Sequence, residues 1–514
     1  MPKQPFPRFL LPLTIILGFS TLIYLGYRSL VHQATPVSIN QVGNIPNDTD
    51  SPIPTLYVGE MGFDVSQPAF LDDLVQSNPM YIVFNPYYPQ SVPSASVIQD
   101  IHTRLPQLKV LLHIFPASLF DQKKLDSPIA KVSFSSQNTQ TQFDNAWTNH
   151  QDAFLKDASG EYVYNTIDPV GQMWLKEGQG YLMDPAHPFY QNLLYNRIKY
   201  LVTELGYDGV YLDIMVIGFM QGMYSSRPAL DGFPLTNQQW NDKLISLSQS
   251  LQNKRQTDPD PRMRNALIFT NSVGGGKYTV GVVDYNRDLR TQGVQIENPF
   301  QDYPDLTTDE WLKAINLIRD ISSLRNNQMR GWLLYHLSEG MNSRHQCNQQ
   351  SLFTYASFLL SKQSPNFAFH YLCKIQDSSL PASERRVVPS ETLTRISLDS
   401  PVAPYQRLAS GLYVREFANG FALVNPTSSS LNYQSNINLH NAYSATTYPK
   451  NTNITLPAKT GLVLLKNAPS PSSRPGDLNS DGTINLLDYN LLKSGFGTTY
   501  NLLDYNTLRS QWGQ

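Results

Sequence analysis

Short apolar runs alternate with amphipathic segments along most of the chain, from Leu56 to about residue 380. Helical spacing of apolar residues follows several of the runs, notably over Pro188–Leu205 and Thr308–Leu324. Eight runs are candidate strands, and they begin at residues 56 (LYVGEMGF), 80 (MYIVFNPYY), 108 (LKVLLHIFP), 181 (YLMDP), 207 (YDGVYLDI), 266 (ALIFTNSV), 294 (VQIENPF) and 331 (GWLLYHL). This alternation predicts an α/β fold of parallel βα units, a (β/α)8 TIM barrel over residues 55–380. A doubly wound open sheet is the structural alternative.

The stretch GYDGVYLDIM carries a carboxylate at each end of a short apolar strand. Side chains alternate along a strand, so Tyr211 and Asp213 share the face opposite to Val210 and Leu212. In a barrel the aliphatic face lies under the helices and the mixed face points inward. Asp213 is therefore expected at the carboxyl rim, where barrel active sites form. Asp208 lies at the opposite end, where it caps or orders the turn that precedes it.

A second inward carboxylate is predicted by the same alternation in VQIENPF, where Gln295 and Glu297 point inward. Two rim carboxylates on different strands are what glycoside hydrolysis requires. We expect Asp213 to be the nucleophile or base, and Glu297 to be the general acid with a pKa raised by burial or by its neighbour. Whether the reaction retains or inverts the anomeric configuration is left open by the sequence.

The alternation of apolar runs with amphipathic segments ends near residue 380. After a connector at 381–404, residues 405–467 contain short β-rich runs and the turn signal ANG, without a helical period. They predict a small antiparallel β-sandwich domain. A Pro- and Ser-rich linker at 468–475 separates it from a tail at 476–514.

The tail contains the most specific motif of the chain, GDLNSDGTINLLD. Its oxygen-bearing residues have the spacing of an EF-hand-type loop with Gly482 at the sharp bend, and the expected Ca²⁺ ligands are Asp477, Asn479, Asp481, Thr483 (through its carbonyl), Asn485 and Asp488. No cofactor is expected for catalysis.

The amino-terminal segment, residues 1–31, contains an uncharged run of 19 residues, Phe9–Tyr27. That length can span a bilayer, and no Ala-x-Ala cleavage site follows it, so we favour a membrane anchor over a cleaved signal peptide. Either alternative exports the rest of the chain, beginning with a polar linker at 32–54. Cys347 and Cys373 can form a disulfide there or remain free thiols.

Composition excludes some partners. The net charge is −2 and charged residues make up 16% of the chain, so no basic field predicts nucleic-acid binding. Aromatic residues, at 11%, are compatible with stacking on sugar rings, although most aromatic residues are core residues.

The motifs DAFLKDASGEYVYN, GQGYLMDP and YDGVYLDIM, in that order, resemble the barrel of the hypothetical glycosyl hydrolases of family 15. More distantly they resemble the endo-α-1,4-polygalactosaminidases. The resemblance covers about residues 55–380 and implies a carbohydrate-active barrel with Asp213 in the catalytic position and a polysaccharide substrate. A small β-sandwich often follows such barrels.

The tail resembles a truncated type I dockerin module of cellulosome proteins, which implies a cohesin-like partner. A second copy of NLLDYN follows the first, but Lys493, Gly495 and Gly497 stand where its loop would need oxygen ligands. One calcium ion is therefore expected, not two.

Further residues are candidates for substrate contact on the predicted rim or as stacking platforms: Asp184, Glu60, Tyr88, Tyr211, Asn271, Trp332 and Tyr335. Glu60 is an alternative general acid, and Asp184 either orients sugar hydroxyls or caps the helix that begins near Pro188. A rival interpretation of the whole chain is a catalytically silent surface protein that binds glycan or assembles partners through its tail.

Overall fold

The computed structural model describes most of the chain between the two predicted linkers. The described residues are 57–59, 65, 69–77, 79–85, 92–125, 137–164, 179–217, 235–274, 280–324, 329–363, 366–376, 386–387, 393–394, 396–444, 446–468, 484, 486–495, 505 and 508–509. The expected anchor, the first linker, Glu60 and Tyr88 lie outside these residues. So do five of the six expected calcium ligands, namely Asp477, Asn479, Asp481, Thr483 and Asn485.

The first part of the chain alternates strands and helices. The strands are β1 (Tyr57–Gly59), β2 (Tyr81–Phe84), β3 (Lys109–Ile114), β4 (Ser118–Phe120), β5 (Gly180–Leu182), β6 (Gly209–Leu212), β7 (Leu267–Val273), β8 (Gly293–Glu297), β9 (Gly331–Met341), β10 (Phe367–Ile375) and β11 (Arg386–Val387). The helices are α1 (Ala69–Ser77), α2 (Ala95–Arg104), α3 (Gln140–Asn149), α4 (Pro188–Thr203), α5 (Asn237–Thr257), α6 (Pro261–Asn265), α7 (Val282–Leu289), α8 (Thr308–Ser323) and α9 (Arg344–Ser361).

Eight of these strands form a parallel barrel in the order β1-β2-β3-β6-β7-β8-β9-β10, and the short β11 extends β10 in the antiparallel sense. The spatial order follows the chain, and β1 lies against β10, so the sheet nearly closes on itself. A doubly wound sheet would reverse its order at a switch point. The predicted parallel barrel is confirmed.

One of the eight predicted strands is wrong, and one barrel strand was missed. The run that begins at Tyr181 forms β5, which pairs antiparallel with β4 outside the barrel. Tyr181 packs in an aromatic cluster that includes Phe143, Trp147 and Phe154, whereas Leu182 packs in the large apolar cluster under the helices. The eighth barrel strand is instead β10. Periodicity identifies a buried strand but not the sheet to which it belongs.

The helices begin where local sequence favours it. Thr139, Thr236 and Thr307 each accept a hydrogen bond from the backbone three residues ahead, while the Gln or Glu at that position reaches back to the Thr amide. These capping boxes start α3, α5 and α8. The helices predicted over 188–205 and 308–324 are confirmed as α4 and α8.

The predicted alternation of side chains along the strands is also confirmed. Val210 and Leu212 pack under the helices in one large apolar cluster, and Val294 and Ile296 do so in another. Tyr211 lies in a separate cluster inside the barrel with residues of the neighbouring strands. The inward positions above it, at the carboxyl rim, are therefore set by the same alternation.

Antiparallel sheets follow the barrel, as predicted. The strands are β12 (Gln406–Arg407), β13 (Tyr413–Glu416), β14 (Gly420–Asn425), β15 (Leu431–Gln434), β16 (Leu439–Asn441), β17 (Thr447–Tyr448), β18 (Asn453–Leu456) and β19 (Thr460–Leu465), and a helix, α10 (Leu486–Gly495), lies in the tail. Six strands form one sheet, and β15 and β18 form a second. Leu412, Leu423 and Leu464 belong to the core of this region.

The other face of the larger sheet packs on α9 of the barrel. Arg415 of β13 donates from Nη1 to the carbonyl oxygens of Leu359, Leu360 and Lys362 at 2.9, 3.1 and 2.6 Å. These are among the carbonyls that a helix leaves without internal partners at its carboxyl end. The β region is thus fixed to the barrel by both apolar and hydrogen-bonded contacts.

The two cysteines form a disulfide, with Cα atoms 5.8 Å apart, that joins Cys347 on α9 to Cys373 on β10. Among the described residues, no helix is both long and apolar enough to cross a bilayer. The apolar run Phe9–Tyr27 is not among them.

Candidate active site

The two predicted rim carboxylates lie at the same end of the barrel. Asp213 directly follows β6, Glu297 is the last residue of β8, and β7 runs between these two strands. Parallel strands end at the same rim, so neighbouring inward positions converge there. The sequence prediction and the barrel geometry therefore bring the pair to one place.

Asn271 of β7 joins the two carboxylates. Its Nδ2 donates to Asp213 Oδ1 at 3.0 Å and to Glu297 Oε2 at 2.8 Å. Because one nitrogen contacts both oxygens, those oxygens lie no more than about 6 Å apart, given the two bond lengths. Asn271 was predicted as a substrate contact, and its described partners are the carboxylates.

His113, on β3, approaches Asp213 from the other side. Its Nε2 lies 3.1 Å from Asp213 Oδ2, and both residues are buried, with 2% and 8% of their surfaces exposed. The edge of the imidazole meets the ring of Tyr211 at a centroid distance of 5.4 Å. Asp213 is thus held by a histidine, an amide and the backbone N–H of Ile214, which donates to Oδ1 at 2.8 Å.

The surroundings separate the pKa values of the pair. Burial acts to raise the pKa of Asp213, but His113 and the hydrogen bonds from Asn271 and Ile214 outweigh it and hold that pKa below its ordinary value. Burial and the charge of Asp213 raise the pKa of Glu297 to about 7. Near neutral pH, Asp213 is therefore ionised while Glu297 retains a proton for a substantial part of the time.

The backbone leaves regular strand geometry directly after each carboxylate. Ile214 has φ of 57° and Asn298 has φ of 50°, both in the left-handed region. That region is rare for a β-branched residue such as Ile and tolerable for Asn. Asn298 is fixed by its own amide, which donates to the Tyr335 carbonyl, and by its Oδ1, which accepts from the Leu337 amide. Each strand therefore ends at its carboxylate or directly before it.

Three aromatic residues predicted as substrate contacts are buried. Tyr211 and Tyr335 fill the inside of the barrel, with 0% and 4% exposure, and Tyr335 stacks on His370. Trp332 lies on the outer face of β9, 3% exposed, and its indole N–H donates to the Ile321 carbonyl. The prediction of Trp332 as a platform is wrong, because the alternation that turns Tyr335 inward turns Trp332 toward the helices.

Asp184 has a structural environment. Its Oδ1 accepts from the amide of Ala186, and its Oδ2 pairs with Lys243 of α5 at 2.7 Å. The residue that caps α4 is His187, which accepts from the amide of Phe189. Asp184 thus orders the turn before α4 and ties it to α5. The prediction that Asp184 caps α4 is wrong, because the capping residue is His187.

His113 is the site residue that the sequence predictions missed. It is a polar residue in the apolar run KVLLHI, and the alternation that places Leu111 inside the barrel places His113 inward at the rim. That combination was the available signal. Among the described residues there is no group of three or more His, Cys, Asp or Glu side chains fit to hold a metal ion.

Asp488 is the expected calcium ligand that lies within the described part of the chain. It is buried in the first turn of α10. The other five expected ligands lie outside the described residues, so the calcium site stays a prediction.

No protein-family model and no curated protein sequence matches the chain. Solved structures with a similar course of the chain include Eubacterium rectale Amy13B, with a TM-score of 0.47 and 10% identity over 84% of this chain and 99% of that one. A noncanonic maltogenic α-amylase, AmyB from Thermotoga neapolitana, has a TM-score of 0.45 and 10% identity over 80% and 99%. A debranching enzyme of Nostoc punctiforme has 0.42 and 13% over 83% and 100%. Similarity at this level assigns neither a family nor a substrate.

Proposed function

We propose that the chain is a glycoside hydrolase in which Asp213 is the nucleophile and Glu297 is the general acid. The observation that carries the proposal is the pair itself: two carboxyl groups at one barrel rim, linked by Asn271, with pKa values shifted in opposite directions. Such a split supplies an anion and a proton donor at the same pH.

In the first step, Glu297 transfers its proton to the glycosidic oxygen as the bond from that oxygen to the anomeric carbon breaks. A carboxylate oxygen of Asp213 forms a bond to the anomeric carbon and gives a glycosyl ester. In the second step, ionised Glu297 takes a proton from water, and the oxygen of that water replaces Asp213 at the anomeric carbon. Both carboxyl groups return to their starting states.

The shared contact with Asn271 favours retention of the anomeric configuration. Retaining enzymes have carboxyl groups roughly 5–5.5 Å apart, whereas inverting enzymes leave roughly 6.5–9.5 Å for a water molecule. The nearest oxygens of Asp213 and Glu297 lie within about 6 Å, which falls below the inverting range. The substrate that we propose is a polysaccharide.

The test is to incubate the purified chain with a panel of α- and β-linked polysaccharides, including α-1,4-linked galactosamine polymers because of the sequence resemblance. Proton NMR of the fresh products reads the anomer. We expect cleavage with retention, and none with Asp213→Asn. Binding of a polysaccharide without any cleavage would favour the rival, a silent glycan-binding protein, and an inverted product would reassign Asp213 as a general base.

We also propose that the tail binds one Ca²⁺ through Asp477, Asn479, Asp481, Thr483, Asn485 and Asp488, and that it takes a cohesin-like partner. Carboxylate, amide and carbonyl oxygens at this spacing are the ligands that Ca²⁺ prefers. Calorimetry on the full chain should give one calcium ion per molecule. The double variant Asp477→Ala with Asp488→Ala should lose it, and a stoichiometry of two would contradict the assignment.

Export of the chain, with residues 9–27 as a membrane anchor, is proposed on the apolar run and on the Cys347–Cys373 bridge, since disulfides persist in oxidising compartments. We expect the protein to fractionate with membranes and to retain its first residues. A soluble mature form that begins near residue 32 would instead identify a cleaved signal peptide.

A further inference from the structure

The amide of Asn271 has a property that neither carboxylate shares. A side-chain NH2 group carries two donor hydrogens and no acceptor. Since Nδ2 contacts both Asp213 Oδ1 and Glu297 Oε2, each of those oxygens must accept. A protonated carboxyl group accepts more strongly at its C=O oxygen than at its hydroxyl oxygen, which also serves as a donor. The contact of Asn271 Nδ2 with Oε2 therefore favours the C=O at Oε2 and the proton of Glu297 at Oε1.

The opposite orientation of the amide is unfavourable. It would place Asn271 Oδ1 against Asp213, whose pKa is held low and which is therefore ionised at neutral pH. Two acceptors in contact repel each other, and network chemistry of this kind distinguishes the amide nitrogen from the oxygen. The donor side of Asn271 thus belongs to the carboxylates.

A second side chain stands beside the amide. Gln295 of β8 pairs in register with Asn271, and alternation with Val294 and Ile296 turns it inward. Within the described part of the chain, Asn271 Oδ1 and both amide atoms of Gln295 are buried without a hydrogen-bond partner. The described hydrogen bonds of the Asn271 side chain are therefore those of its donor side, to the two carboxylates.

We propose that Asn271 is a positioning residue: it fixes the separation of Asp213 and Glu297 and confines the acid proton to Oε1 of Glu297. The effect of Asn271 on catalysis rests on the proposed function, whereas the separation of the two carboxyl groups and the position of the proton do not. The alternative is that Asn271 binds a sugar hydroxyl.

The test is a pH-difference infrared titration of the purified chain, with the Glu297 carboxyl band identified by its loss in Glu297→Gln. In the wild type the C=O of protonated Glu297 accepts a hydrogen bond from Asn271, which lowers its stretching frequency. Asn271→Leu, similar in volume and without a donor, should move that band to higher frequency and raise the pKa at which it appears. Thr270→Val is the matched control, because Thr270 lies on the same strand with its hydroxyl turned to Ser272 and Thr291, and it should leave the band in place.

Asn271→Ala also lacks a donor and is smaller, so it serves if the Leu variant does not fold, and we expect it to shift the band in the same direction. An unmoved band in the folded variants would overturn the proposal.

On a polysaccharide that the wild type hydrolyses, Asn271→Leu should lower kcat by about 10²-fold with little change in KM. A raised KM with unchanged kcat would make Asn271 a sugar ligand and overturn it as well. A shifted band in a chain that hydrolyses nothing would instead refute the proposed function and leave the placement of the proton standing.

Discussion

Strand β6 has an aspartate at each end, and the two ends of the barrel use this residue differently. At the amino end, Asp208 accepts from the Val110 amide and pairs with His102 at 2.8 Å and Lys109 at 3.1 Å. At the carboxyl end, Asp213 meets a histidine and an amide, but it also lies close to a second carboxyl group, Glu297.

As a result, the amino end lowers the pKa of its carboxyl group, whereas the carboxyl end contains one carboxyl group whose pKa is raised. The pKa of Asp208 is lowered, because the hydrogen bonds and charges of His102, Val110 and Lys109 outweigh the opposing effect of burial. At the other rim the donors suffice for Asp213 but not for Glu297, whose pKa is raised. The amino end is thus arranged for stability, and the carboxyl end retains an unfavourable charge pair. Such a pair is expected where catalysis needs it and not where only the fold does.

The largest expected difference between the two ends is in hydrolysis. Asp213→Asn and Glu297→Gln each keep the side-chain volume and remove only the ionisable group. Loss of the acid should lower kcat by about 10²–10⁴-fold, and loss of the nucleophile by more. Asp208→Asn should leave kcat within about twofold in the same assay, because it lies away from the mouth. Activity that survives Asp213→Asn would refute the catalytic pair.

How far the sequence could predict this arrangement depends on what each residue contacts. Alternation along a strand is a local property, so the sequence alone suffices to turn Asp213 and Glu297 inward. The membership of β5 and β10 in different sheets is decided by contacts distant in sequence, and periodicity does not contain them. The bridge made by Asn271 requires three neighbouring strands in register, a relation that exists only in the folded sheet.

For Trp332 and His113, by contrast, the alternation of side chains along a strand was sufficient to predict the correct orientation. The alternation within GWLLYHL sends Trp332 outward once Tyr335 is inward, and the alternation within KVLLHI sends His113 to the rim. For Trp332, residue type outweighed position, because an aromatic side chain suggested sugar stacking. For His113, the position at the end of its strand was not used.

The second expected difference is in the free energy of unfolding. Removing the charge of Glu297 should raise it, whereas removing the charge of Asp208 should lower it. The pKa of Glu297 is higher in the folded chain than in the unfolded chain, so the folded state binds its proton more tightly. Stability therefore falls as the pH rises from the unfolded value toward about 7.

Glu297→Gln cannot ionise and escapes this penalty. We expect it to raise the free energy of unfolding at pH 8 by on the order of 2 kcal/mol and to have no such effect near pH 4. Denaturant unfolding at the two pH values measures this, and an equal effect at both would assign the change to local packing and not to charge.

The smallest expected effect is that of Asp208→Asn on stability. Because the pKa of Asp208 is depressed by folding, its ionised form contributes stability above the unfolded pKa, and this contribution is lost as the pH falls through the lower folded value. Asp208 is partly exposed, so solvent screens its pairing with His102 and Lys109. We expect Asp208→Asn to lower the free energy of unfolding by about 1 kcal/mol at pH 7. The difference should begin to shrink below about pH 4, where the unfolded chain binds a proton at Asp208, and should vanish once the pH is below the lower folded pKa. Asp72→Asn is a matched control at the surface, since its pairing with Arg104 is exposed, and it should change stability by less than about half as much. A stabilising effect of Asp208→Asn at pH 7 would remove the contrast between the two rims, because both would then carry carboxylates that the fold disfavours.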